Sequence, residues 1–200
     1  MKLYVHSILA SFSVLCASLC GCPEDDYVPP VTYEVQQNQL VFVDGDRFNY
    51  AVGDTLWLNV QVPQRVIDEI TGQSYDIFEI TGATEARISL KLEKESSFTK
   101  PFLVNFSQED LVLEAGVFQI PEFETTQLAL DVNYQDDAYR LRIGFLLKEA
   151  GVYQLSGFYG NDWQFGFYDT DFGKLPQEYV FVTTTVRGAA NGALRFTVVE

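Results

Sequence analysis

A two-residue apolar rhythm governs most of this chain. Thr55–Val62 sets Leu56, Leu58, Val60 and Val62 in one phase. Arg87–Glu93 sets Ile88, Leu90 and Leu92 against Arg87, Ser89, Lys91 and Glu93. The rhythm returns in Gln127–Tyr134 (Leu128, Leu130, Val132, Tyr134), in Tyr139–Phe145 (Tyr139, Leu141, Ile143, Phe145) and in Leu194–Val198 (Leu194, Phe196, Val198). Successive side chains of a strand point to opposite faces, so each stretch reads as a strand with one buried and one wet face. Val180–Val186 is a β-branched run, and Gln39–Val43 and Val152–Phe158 add two more strands. Turn residues separate them at Asp44-Gly45-Asp46, Val52-Gly53-Asp54, Gln135-Asp136-Asp137, Gly160-Asn161-Asp162 and Asn191-Gly192. Eight or nine short strands divided by turns predict an all-β fold, an antiparallel β-sandwich, with a small β-barrel as the alternative. A short helix or helical turn is admitted at Val66–Ile70 or at Gln108–Val112. Spacing within Arg140–Phe158 predicts a hairpin closed at Lys148-Glu149-Ala150-Gly151.

The first 22 residues have a different grammar. One cation, Lys2, precedes an apolar, small-residue run from Leu3 to Leu19. That pattern marks an export signal, and the run is short and serine-rich for a membrane span of roughly 20 apolar residues. Leu19-Cys20-Gly21-Cys22 then resembles a lipobox, the lipidation signal of bacterial lipoproteins. The resemblance implies cleavage after Gly21 and a thioether lipid on Cys22, with two or three acyl chains. Cys20 fits less well, because Leu19 is bulky where a small residue belongs. An ordinary secretory signal is the competing reading. Pro23-Glu24-Asp25-Asp26 resembles the surface-export signal of Bacteroidota (Bacteroidetes) lipoproteins, which implies the outer face of the outer membrane. A solvated acidic linker with a periplasm-facing anchor is the alternative. Tyr27–Val31 reads as a stiff, extended tether. The resulting division is 1–21 signal peptide, 22–31 lipidated cysteine and tether, and 32–200 a single β domain.

What the domain lacks narrows its chemistry. Cys16, Cys20 and Cys22 are the only cysteines and His6 the only histidine, so none lies beyond residue 22. The β domain can build neither a Ser-His-Asp nor a Cys-His apparatus, nor a zinc site of His and Cys ligands. The formal charge of −15 becomes −16 once Lys2 leaves with the signal, so nucleic-acid binding is not expected. Paired carboxylates, as in glycoside hydrolysis, and oxygen-ligated calcium remain open.

Three features attract attention as sites. Phe158–Phe172 is the richest, with seven aromatics in fifteen residues. Rings there suit the apolar face of a sugar, and Asn161 and Asp162 suit its hydroxyls. Trp163, Phe165 and Phe167 share one strand face and Gln164, Gly166 and Tyr168 the other. The first three read equally as core, while Tyr159 and Tyr168 read better as an exposed patch. Trp57 falls out of phase with Leu56 and Leu58, so it marks a binding face or lies under a loop such as Pro63–Asp76. Asp44/Asp46, Asp136/Asp137 and Asp169/Asp171 could offer calcium ligands, although turns favour Asp for backbone reasons alone.

Val52-Gly53-Asp54-Thr55-Leu56-Trp57 and Ala150-Gly151-Val152-Tyr153-Gln154-Leu155 resemble strand entries in immunoglobulin-like domains of Bacteroidota surface lipoproteins. The resemblance covers about 20 residues and implies an immunoglobulin-like β-sandwich; it transfers no site residue beyond Cys22. The resulting expectation is a lipid-anchored, non-catalytic binding or accessory module for a glycan or protein ligand. Its membrane partner would be reached through Cys22. A structural envelope component (a fimbrial or secretion-system subunit) pairing through an edge such as Leu194–Val199 is the alternative. A carboxylate-based glycosidase is the third reading.

Overall fold

A computed structural model describes residues 28–97, 100–119, 126–158, 163–189 and 192–200. The signal peptide, Cys22, the acidic cluster, and Tyr159, Asn161 and Asp162 lie outside the described residues. In chain order the strands are β1 (Val31–Gln36), β2 (Val41–Val43), β3 (Asn49–Ala51), β4 (Thr55–Pro63), β5 (Arg65–Ile67) and β6 (Ser74–Asp76). One short helix, α1 (Ile77–Thr81), precedes β7 (Glu85–Lys94), β8 (Phe102–Leu103), β9 (Leu111–Ala115) and β10 (Val117–Gln119). Then follow β11 (Leu128–Gln135), β12 (Ala138–Leu146), β13 (Gly151–Gly157), β14 (Trp163–Tyr168), β15 (Glu178–Thr184) and β16 (Leu194–Val199). The protein is all-β, as the alternation predicts.

The phases assigned to the core are buried, save for the half-buried Tyr134 near the end of β11: Leu56, Leu58, Val60 and Val62 of β4; Ile88, Leu90 and Leu92 of β7; Tyr139, Leu141, Ile143 and Phe145 of β12. Each such side chain contributes about 1.5–3 kcal/mol by leaving water. The sheet runs β1-β15-β14-β7-β11-β12-β4-β2 and curls until its ends meet. The meeting is made by residues 31–43. β1 pairs in parallel with β15, β2 pairs with β4, and Val41 bridges Val186 just beyond β15. A second parallel pair joins β16 to β3, so two pairings depart from the antiparallel rule.

The circuit contains two forks. β11 and β12 pair only beside their turn, where Asp136 and Asp137 both take positive φ, as a two-residue primed turn requires. They then diverge, and β9 and β10 fill the gap, β9 on β12 and β10 on β11. Gly116, at φ +94°, turns the chain between them. The second fork is on β7. One edge pairs with β14 at Arg87 and with β13 from Leu90 to Lys94.

Three sequence expectations need correction. Lys148–Gly151 closes no hairpin: β12 is paired on both edges, by β4 and by β11 and β9, so β13 crosses to β7 and β16. Val66–Ile70 is not helical; Val66 lies in β5, and Asp68 folds the following turn by accepting from Thr71 N (3.0 Å) and Gln36 N (3.0 Å). The α-helix forms at Ile77–Thr81 instead, where Asp76 caps Glu79 N and Gly82 closes it in the left-handed region. The other site, Gln108–Asp110, is one 3-10 turn. Finally, β16 is no free edge, because β13 and β3 flank it.

Candidate functional site

β14 divides its side chains cleanly. Trp163, Phe165 and Phe167 point inward and are fully buried; Gln164, Gly166 and Tyr168 face outward. Sheet register then sets one outward row across five strands: Phe181 beside Gly166, Gly166 beside Arg87, Arg87 beside Asp131, Asp131 beside Val117. The only position in that row without a side chain is Gly166. A Cβ there would stand 2.8 Å from the Tyr168 hydroxyl oxygen and 3.1 Å from Phe181 Cε1. The Tyr168 and Phe181 rings occupy the place of that missing atom, and a trough lies beside it, between these rings and Arg87, with two unlike banks.

One bank is aromatic. Tyr168, 55% exposed, meets Tyr179 edge-on at 5.3 Å and Phe181 at 5.8 Å. The other bank is ionic. Arg87 Nε donates to Asp131 Oδ1 at 2.7 Å and Nη2 to Oδ2 at 3.2 Å, a two-pronged pair with a buried carboxylate and an exposed guanidinium. The Asp131 bond pushes Arg87 still further above its ordinary range. The trough is deep at both ends. A hollow of about 520 Å³ reaches from Arg87 and Tyr168 to Glu85, Asp169 and Phe172. A second, of about 230 Å³, runs from Arg87 and Tyr168 to Ser89, Gly157 and Gln164, in the unfilled fork where β13 leaves β14.

The lining sets apolar ring faces beside hydrogen-bonding groups. The rings offer apolar faces and the Tyr168 hydroxyl a donor. Arg87 and Gln164 offer donors, and Gln164 and Glu85 acceptors. The carboxylates at its floor are already engaged. Asp131 holds Arg87, and Asp169 takes Lys174 at 3.2 Å together with the backbone N–H of Asp171. Burial opposes ionisation of Asp169, but the N–H donors and Lys174 outweigh it and hold its pKa low.

Of the described residues named from sequence as ligand-binding, Tyr168 is placed in the trough, with Phe158 and Phe172 of the same segment at its ends, and Trp57 and Trp163 are not. Trp163 is corrected from ligand-binding to core: its ring is fully buried and its indole N–H donates to the Gly192 carbonyl at 2.8 Å. Trp57 lies apart, on the outer face of β4 and β12. It is covered by Arg142, whose guanidinium sits 4.6 Å above the ring. Arg142 is fixed there by Asp44 (2.8 and 2.9 Å), Glu114 (2.6 Å) and Asn59 (2.9 Å). Asp44 is thereby spent on Arg142, while Asp136 and Asp137 supply the positive φ of their turn. Among the described residues no group of three or more His, Cys, Asp or Glu is placed to hold a metal ion.

Arg87, Asp131, Tyr179 and Phe181 escaped the sequence reading as site residues. Their phase was legible, since Arg87 and Asp131 alternate with core positions; the register that puts them in one row was not. Among the described residues no helix is long and apolar enough to cross a membrane. Comparison with protein-family models, with curated proteins and with solved structures finds no match.

Proposed function

We propose that this chain is a non-catalytic glycan-binding module of the cell envelope, anchored through lipid on Cys22 at the outer face of the outer membrane. One observation carries the binding half of this reading: the Gly166 trough, with the Tyr168–Tyr179–Phe181 rings on one bank and the Arg87–Asp131 pair on the other. Rings beside a fixed ion pair suit a sugar because a pyranose has both an apolar face and a polar edge. Open troughs of several hundred cubic ångströms are of the size that small-ligand sites take. Glycoside hydrolysis works with a pair of carboxyls; with Asp131 and Asp169 engaged, Glu85 is the one lining carboxylate left to act, which supports binding over hydrolysis. The anchor half rests on the lipobox-like Leu19–Cys22.

Glycan-array screening of the full chain, followed by calorimetry on any hit, tests the binding half. Tyr168→Ala and Arg87→Ala should each weaken the hit at least about tenfold, the loss of roughly 1.4 kcal/mol. No hit, or two variants that bind like the wild type, would remove the glycan reading.

A further inference from the structure

The loop joining β14 to β15 is built inside out. The loop turns Lys174 inward, where its Nζ reaches Asp169 (3.2 Å), Glu178 (2.5 Å) and the Ile80 carbonyl (3.1 Å). Its apolar side chains are turned outward, Phe172 at 86% exposure and Leu175 at 69%. The backbone holds this arrangement. Thr170 N donates to the Thr81 carbonyl at 2.9 Å, and Asp171 accepts from Gly173 N at 3.0 Å. Glu178, which grips Lys174, also accepts from the Tyr33 hydroxyl at 2.7 Å. Large apolar groups so fixed in water imply something that covers them.

Where the loop sits says what that is. The Val31 N–H donates to the Gln177 carbonyl, two residues after Leu175, so the loop lies where the chain enters the fold. Val28 and Val31, also exposed, stand at that same entry. From Cys22 to Val31 the chain can extend no more than about 30 Å. A lipid on Cys22 therefore keeps this end, and not the opposite one, at the head groups. Ile70 is comparably exposed, but its turn docks further along β1, where Glu69 N donates to the Gln36 carbonyl.

We propose that Phe172 and Leu175 seat this end of the protein in the interfacial layer of the bilayer that carries its own lipid. This rests on the anchor proposed above. Two shallow hydrophobes add little affinity alone, yet beside a lipid tether they fix orientation, because the tether already supplies the local concentration. A lipid without net charge, such as phosphatidylcholine, keeps repulsion of the acidic chain out of the test. Phe172 also rims the larger hollow, so the trough opens beside the membrane surface and takes chains that lie along it.

The absence of cysteine beyond residue 22 makes the test direct. Full chains carrying Phe172→Cys, Leu175→Cys or, at the far end, Val52→Cys are made in cells. The lipidated forms are reconstituted in phosphatidylcholine vesicles, and the same chains with Cys22→Ser are kept in buffer. Alkylation by a membrane-impermeant thiol reagent is read on the labelled peptide. Slowing of at least about fivefold at 172 and 175 in vesicles, with none at 52, is the expected result. Vesicle-bound chains that react equally at all three positions overturn the seat and leave the anchor standing. Protection in cell membranes but not in vesicles also overturns it, and assigns the loop to a protein. Chains that stay in the soluble fraction with Cys22 intact overturn the anchor, and the seat with it.

Discussion

Gly166 is the residue on which the trough depends, and its role is steric. It makes no bond that another residue could not make; it leaves room. Gly166→Val would put methyl groups where the Tyr168 hydroxyl and Phe181 ring now stand, and push the Tyr168 ring off its seat on the aromatic bank. Its φ is not in the left-handed region, so the strand itself tolerates the change. Ligand affinity should fall more than about tenfold while thermal midpoint moves by only a few degrees, a pairing that calorimetry and a melting curve read together. A fall in stability without a fall in affinity would show that the trough is not the site. At this scale the sequence was half legible. Alternation showed that Trp163 and Tyr168 face opposite ways, and the buried Trp163 needed only a partner for its indole N–H, which Gly192 supplies. What covers Trp57 was not legible, because Arg142 is 85 positions away in the chain and is steered by Asp44 and Glu114, each on a different segment.

Elements are decided by their neighbours, and the two forks show how. The turn between β11 and β12 was readable, since Gln135-Asp136-Asp137 announces it. That β9 and β10 are drawn into the opening was not readable, for both are short and their partners are distant. Gly116 makes that insertion possible. It takes φ +94°, and a Cβ would meet Leu141 Cδ1 at 2.5 Å and the Asp131 carbonyl at 2.8 Å. Gly116→Ala should cost about 1–3 kcal/mol from the backbone alone, seen as an earlier urea midpoint at unchanged slope. Because Asp131 neighbours this bend, the variant should also loosen Arg87. The false hairpin at Lys148–Gly151 has the same lesson in reverse. Two consecutive strands with a turn between them look paired, but β12 has no edge left to offer.

For the whole molecule, charge sets the response to pH. Asp44, Asp54, Asp68, Asp76, Asp110, Asp169, Glu95, Glu149 and Glu178 are all held below their ordinary values, mostly by Arg, Lys or N–H donors. A depressed carboxylate stabilises the fold above its unfolded pKa of about 3.9–4.3, and that contribution is lost as pH falls through the folded value. Beyond residue 22 there is no His or Cys, so no side chain has an ordinary pKa between about 5 and 9. The thermal midpoint should therefore be flat from about pH 5.5 to 9 and drop steeply below about pH 4. A slope near pH 6.5 would contradict this account.

The parallel pairing of β1 with β15 has one more consequence, for how the protein bears load. The tether leaves the fold at Val31, the first of six residues of β1 matched one for one to Glu178–Thr183. A pull on the tether acts along β1, across the line of its hydrogen bonds. Those bonds cannot open in succession as in a zipper; they must slide together. The strand that closes the circuit is thus also the strand best arranged to resist being drawn out of it under the proposed lipid tether.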